Sequence, residues 1–345
     1  MLKLTERQLK ILNFIYRNGR ASNKGIVDFL NKVSRITILR DIKILLQNNL
    51  IERFGQGRSV YYKEKARDSF SRYIDVDAYF EVEPDQRKLA FEKFNFNIYS
   101  NLDVFSKTEL TELKKINSDY QKKVNDLSEA EFKKEFERLT IELSWKSSQI
   151  EGNTYSLIDT EILIKEHKEA AGHNKEEAIM ILNHKHALDY ILDKASDFKK
   201  LTSLKIRNLH KIVVGDLNID TGLRARPVGI VGTRYQPLDN QHQIMEAMEK
   251  AIDLINKLND PFSKAIITIL LISYIQPFVD GNKRTARLLA NAVLMANKVC
   301  PLSYRSINEA DYKKAMLLFY EQNNFRFFKE LFIEQFKFAV NNYFQ

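Results

Sequence analysis

The chain is poor in the features that mark several whole classes of protein. Its 345 residues include one cysteine, Cys300, so no disulfide framework holds it; a reducing compartment is expected, or the thiol is simply a small core side chain. No apolar run approaches the length of a membrane span, and the N-terminus lacks a signal-peptide pattern. A cytoplasmic protein that engages no membrane is expected. There are no internal repeats and no low-complexity segments. Beyond residue 65 there is also no excess of charge, since 40 Lys or Arg stand against 40 Asp or Glu. Residues 1–65 hold 14 against 5, so the whole net charge of +9 lies there, as a unit that meets a polyanion requires. The length suits two or three domains, and 44% hydrophobic residues supply real cores.

Within that basic segment, Leu9, Ile11, Leu12 and Ile15 recur at helical spacing between a candidate cap, Thr5, and a stop at Asn18-Gly19. A second short helix follows Ser22. A third, Ser34 to Gln47, buries Ile38, Ile42 and Leu45 and turns Arg35, Thr37, Arg40 and Lys43 outward or to its edges. Two β-rich runs around Gly55-Gln56-Gly57 then predict a hairpin. Three helices and a hairpin form a winged helix-turn-helix (α+β) domain over 1–65, and its third helix resembles the recognition helix of bacterial winged-helix regulators. The partner expected is double-stranded DNA, with the third helix in a major groove and Arg58 on the wing reaching for phosphate or the minor groove. A winged-helix module used for protein contacts is the alternative. Such proteins often bind palindromes as homodimers.

Residues 66–105 are irregular and aromatic, and suggest a linker docked on the next domain. From 106 onwards the pattern is that of amphipathic helices, so the chain is expected to be mainly α, with the second domain spanning 106–345.

The organising stretch is QPFVDGNKRTAR, Gln276 to Arg287, set between two apolar helical runs. Gly281 permits a sharp turn whose following amides converge on an anion at the start of a helix. Arg284 and Arg287 share one face near it. Asp280 is an acceptor placed to hold a magnesium ion that bridges phosphates. The tenant predicted is ATP with Mg2+.

This stretch resembles the Fic (Fido) family signature His-Pro-Phe-x-Asp/Glu-Gly-Asn-Gly/Lys-Arg-x-x-Arg, matching eight of nine specified positions. The departure is Gln276, which stands where the family has its catalytic histidine. The resemblance covers roughly residues 100–335 and implies an all-helical Fic domain with a β-hairpin flap. The family transfers AMP from ATP to a protein hydroxyl. By resemblance Asp280 would hold the metal, the amides at Gly281 and Asn282 the α-phosphate, and Arg284 and Arg287 the outer phosphates, beside Lys283. Gln276 has no basic site that titrates near neutral pH, so transfer would be impaired.

Ser147, Glu151 and Gly152, in SSQIEGNTYSL, match the family's inhibitory motif, which implies an inhibitory helix near 140–152 whose Glu151 pairs with Arg287 and competes with the γ-phosphate. Residues 221–238 (TGLRARPVGIVGTRYQPL) read as a hairpin, either a structural one or, by resemblance, the flap whose Val231, Gly232, Thr233, Arg234 and Tyr235 would align the target protein. Tyr312 is a candidate for the base pocket. Lys283 also occurs in the related Doc toxins, which phosphorylate their target. The readings that remain are an impaired adenylyltransferase acting on a protein hydroxyl or on itself, a nucleotide-binding regulator without catalysis, a partner-binding scaffold that uses the flap, and a Doc-like phosphotransferase.

Overall fold

The computed structural model describes residues 4–66, 69–100 and 102–345, without the side chains of Arg58 and Ser69. The chain separates into two compact units, Met1–Arg87 and Lys88–Gln345.

In the first unit α1 (Glu6–Arg17), β1 (Ala21–Ser22), α2 (Asn23–Phe29), α3 (Arg35–Gln47), β2 (Ile51–Phe54), β3 (Tyr61–Glu64) and α4 (Val76–Phe80) follow in order. The strands lie as β1-β3-β2 and both pairings are antiparallel. Each helix starts on an oxygen-bearing side chain that takes up a free amide: Thr5 in a capping box with Gln8, then Ser22, Ser34 and Asp75. Gly55 and Gly57, with φ of 78° and 55°, turn the chain between β2 and β3. Ile11, Ile15, Ile26, Ile38, Ile42 and Leu45 form the centre of this unit's core. Asp41, buried on the inner side of α3, accepts from Arg7 and from Gln8 Nε2 (3.1 Å), which fixes α3 against α1.

The second unit is helical: α5 (Lys107–Asp126), α6 (Glu129–Ile150), α7 (Leu157–Glu166), α8 (Lys175–Asp193), α9 (Ser203–Val213), α10 (Gln241–Lys257), α11 (Pro261–Ile275), α12 (Asn282–Ala296), α13 (Glu309–Gln322) and α14 (Arg326–Asn342). Its axis is the pair α11 and α12. Every residue from Ala265 to Ile275 is buried, as is nearly all of α12, so both helices are enclosed on all sides. Among the described residues no helix is long and apolar enough to cross a membrane. Cys300 is buried beside Asn117, whose Oδ1 accepts from its backbone amide.

Two features depart from the sequence expectations. The stretch 66–105 divides at Arg87, and its later part runs along the second unit as backbone. There the amides of Ala90 and Phe91 donate to the Glu321 carbonyl, and Phe94 stacks on Tyr274 at 4.7 Å. The hairpin expected over 221–238 has no ladder: the segment turns at Val231-Gly232, and its bridge is a parallel one between Gln236 and Lys93. The reason is anchoring elsewhere. Arg224 and Tyr235 tie the segment to the end of α11, so its two halves have no need to pair.

Candidate functional site

The turn between α11 and α12 is shaped by two left-handed residues. Gln276 (φ 50°) ends α11 and Gly281 (φ 76°) begins α12. A Cβ on Gly281 would stand 2.7 Å from Val214 Cγ1, so only glycine fits there. Asn282 turns its side chain back into the loop, accepting from Phe278 N and donating to Phe278 O, both at 2.8 Å. His210 of α9 braces the same loop, stacking on Phe278 at 3.7 Å and donating from Nε2 to the Asp280 carbonyl at 2.9 Å. Burial pushes its pKa down to about 4, so the ring is neutral.

α11 begins on the Asp260 cap, whereas α12 begins at Gly281 with no side chain over its first amides. Gly281, Asn282, Lys283 and Arg284 line a cavity of about 470 Å³, within the ~300–1,000 Å³ range of small-molecule sites. Asp280, Lys283, Arg284, Glu151, Val231 and Tyr312 are among the residues around it. Arg284 is pinned by Asp280 Oδ2 at 2.9 Å, while its Nη1 is buried with no partner among the described residues. Burial lowers the Arg284 pKa against the pull of Asp280 and Glu151. A buried guanidinium with an unused donor, beside uncapped helix amides, is the donor set that an anion would use.

Arg287 sits deeper and is not part of the lining. It is fully buried and spent on α6: Nε donates to Ser147 Oγ at 2.9 Å, Nη2 to the Ser147 carbonyl at 2.8 Å and Nη1 to Glu151 Oε1 at 2.9 Å. Glu151 caps the C-terminal end of α6, which Gly152 stops with φ 102°. Lys283 Nζ lies 3.7 Å from the other carboxylate oxygen. Burial alone would raise the Glu151 pKa, but Arg287 and then Lys283 outweigh it and hold the carboxyl below its ordinary range. The Tyr312 hydroxyl completes the cluster, 3.4 Å from Arg287 Nη1.

Three participants gave no signal in the sequence. His184 of α8 donates from Nδ1 to the Met180 carbonyl (2.8 Å), which leaves Nε2 bare to accept from Ser147 Oγ (2.8 Å). Burial, with Arg284 and Arg287 nearby, pushes its pKa down to about 3. Glu177, two turns earlier on α8, accepts from Thr154 N at 2.6 Å and so clasps the chain just after Glu151. Arg224 donates to the carbonyls of Gln276 (2.6 Å), Arg226 (2.8 Å) and Leu238, joining both ends of the 224–238 segment to the end of α11.

Of the expected flap residues, Val231 is 97% exposed at the cavity mouth, and Gly232 supplies the turn with φ 83°. Thr233 Oγ1 accepts from Tyr235 N, and Arg234 pairs with Glu92 at 3.2 Å. Tyr235 is not a target-facing residue: it is buried, and its hydroxyl donates to the Tyr274 carbonyl at 3.0 Å. Gln276 donates from Nε2 to the Ser273 carbonyl at 2.7 Å. In the first unit Arg35, Arg40 and Lys43 are exposed on α3. Thr37 is half-buried in the first turn of α3, its hydroxyl 2.9 Å from Oγ of the Ser34 cap. Arg58 lies in the turn Gly57–Ser59, with its side chain outside the described residues.

Comparison with known proteins converges on this cavity. Residues 200–294 match the model of the Fic/DOC family. The chain is 29% identical over 178 residues to protein adenylyltransferase fic-1 of Caenorhabditis elegans, covering 47% of this chain and 33% of that one. It is 28% identical over 179 residues to protein adenylyltransferase Fic of Nematostella vectensis, covering 49% and 40%. It thus spans well under half the length of these relatives. Among solved structures, a Fic domain containing signaling protein from Bacteroides thetaiotaomicron superposes with a TM-score of 0.57 at 21% identity, over 66% of this chain and 94% of that one. Fic-1 (aa134 - 508) from C. elegans gives 0.55 at 19%, over 68% and 70%. The stretch that matches the Fic/DOC family model, residues 200–294, thus contains the Gly281 turn and all but the last two residues of α12.

Proposed function

We propose that this protein binds ATP at the Gly281 turn as a Fic-type protein adenylyltransferase whose chemistry is impaired at Gln276 and restrained by Glu151. The observation that carries the reading is the unpartnered Nη1 of Arg284 on a helix whose first amides have no side-chain cap, while Glu151 holds the second arginine. The relatives named protein adenylyltransferases support the reaction class.

In that reaction a protein hydroxyl attacks the α-phosphorus, a new P–O bond forms and pyrophosphate leaves. The α12 amides and Arg284 stabilise the charge that develops on the phosphates. Arg287 would join them once Glu151 withdraws. Asp280 suits Mg2+, since its carboxylate is largely exposed with one oxygen on Arg284. Among the described residues no cluster of three metal-ligating side chains exists, so the phosphates would complete the shell. A bound Mg2+ would neutralise phosphate charge.

The proton on the attacking hydroxyl is the difficulty. The Gln276 amide cannot take it. Tyr320, which also lines the cavity, has its phenol pushed well above its ordinary value by burial, so it is no substitute base. Loss of a general base costs about 10² to 10⁴ in rate. For that reason a second reading stands, a nucleotide-binding regulator without catalysis. Residues 1–65, with α1 to α3, the β2–β3 wing and a net charge of +9, we read as a winged helix that binds double-stranded DNA, in a cytoplasmic protein.

The test is incubation with α-labelled and γ-labelled ATP, for the chain as it stands and with Gln276→His and Glu151→Gly. Protein-bound α-label that appears with histidine supports the adenylyltransferase. Nucleotide binding with no label under any substitution supports the regulator, and γ-label would replace both by phosphotransfer. No nucleotide binding even with Glu151→Gly sinks the site itself.

A further inference from the structure

The outer face of α3 carries a feature that basic charge alone does not account for. Its buried residues are Ile38, Asp41, Ile42 and Leu45. Directly opposite runs a stripe at i, i+4, i+7 and i+11: Ile36, Arg40, Lys43 and Gln47, all exposed. Ile36 is 67% exposed, the most exposed large apolar side chain among the described residues of the first unit, and Leu39 beside it is 40% exposed. Neither helps to hold the helix in place, because Asp41 and the inner isoleucines already do.

A bare isoleucine at the leading turn of a cationic helix requires a partner that is anionic around its edge and apolar at one point. The major groove of B-DNA has that composition: phosphates flank a floor whose apolar group is the thymine C5 methyl. The stripe contains no acidic residue, and residues 1–65, which bear it, hold the chain's whole excess of positive charge. An isoleucine, stiff at χ1, is already ordered and loses little freedom on contact.

We propose that Ile36 reads a thymine methyl in the major groove, with Arg40 and Lys43 seating the helix on phosphates or purine edges beside it. This rests on the DNA-binding reading of the N-terminal unit and adds to it the base that the site must contain. Ile36 is thus a specificity-determining residue.

The test begins by selecting duplexes with a randomised centre on the full chain at low salt. The recovered duplex is then titrated by fluorescence anisotropy as it stands and with each thymine in turn replaced by uracil, which removes the methyl alone. The wild-type chain should lose about fourfold in affinity at one or two thymine positions, the value of one buried methyl. Ile36→Ala should bind with the same salt dependence, melt at the same temperature and be indifferent to uracil there. Uracil without effect at every thymine, recovered sites without thymine, or full discrimination retained by Ile36→Ala would each overturn the assignment while leaving DNA binding in place. An Ile36→Ala chain that changes its elution volume and not its DNA preference would assign the patch to self-association and overturn it too. Absence of salt-dependent binding to any duplex would remove the DNA-binding reading as well.

Discussion

Glu151 and Arg287, 136 residues apart in sequence, meet at 2.9 Å with the guanidinium fully buried. The carboxylate thus occupies the one cation of the Gly281 neighbourhood that the cavity does not reach, and Ser147 takes two of that cation's other donors. Glu151→Gly should free Arg287 for nucleotide. A charge-assisted hydrogen bond is worth about 1.5–3 kcal/mol, so calorimetry with MgATP should show binding tightened by roughly 10- to 100-fold. Equal affinity of the two forms would mean that the pair does not restrain the site.

Acid should weaken the helical unit earlier than its carboxylates require. His184 and His210 are neutral in the fold, with pKa values pushed down to about 3 and about 4 from 6.5, and the unfolded chain protonates both below about pH 6.5. Their contribution to stability is therefore complete above pH 6.5 and falls as pH drops toward 4, by about 1.4 kcal/mol per pH unit for each ring. Trp145, the single tryptophan, sits on α6 with its Nε1 donating to the Tyr155 carbonyl, and reports the transition. Between pH 6 and 5, His184→Gln should show about half the wild-type slope, whereas an unchanged slope would contradict the neutral ring.

The backbone of Gln276 is left-handed, a region that suits histidine and penalises β-branched residues. Gln276→His should keep the denaturation midpoint within the error of about 0.5 kcal/mol, while Gln276→Val should cost roughly 1–3 kcal/mol. If valine is as stable as histidine, the backbone there is not held at φ 50°.

Arg224 is the clasp of the 224–238 segment. Arg224→Ala leaves buried carbonyls of Gln276 and Leu238 without that donor, at about 1–3 kcal/mol, so the segment should open roughly 5- to 100-fold more often. Tryptic cleavage after Arg234 should accelerate accordingly. An unchanged rate would show that Tyr235 holds the segment alone.

How far the sequence discloses this architecture depends on where each residue's partner lies. α11 and α12 were legible because an apolar run, a proline and a glycine are local signals, and Thr5 acts as the cap that its position suggests. Glu151 and Arg287 were connected only through the family resemblance, since no spacing rule joins the end of one helix to the middle of another. His184, His210 and Arg224 each reach a hydroxyl or backbone carbonyl 37 to 70 residues away, and lone side chains of that kind carry no pattern. The misread hairpin shows the converse. β-branched residues around glycines fit any extended strand, and what decides pairing is whether the segment is tied down elsewhere, here by Arg224 and Tyr235.

Gly281 and Val214 share one small volume, with the missing Cβ of the first only 2.7 Å from a methyl of the second. Neither has any chemistry of its own, yet the size of the second limits the first. Shrinking Val214 to alanine would remove the clash but not the left-handed strain of a Cβ at φ 76°, and isoleucine at 214 would crowd the turn even with glycine kept. The residue that ends α9 thereby sets how far the Gly281 turn can project, and a survey of natural variants should find glycine at 281 wherever position 214 is as large as valine.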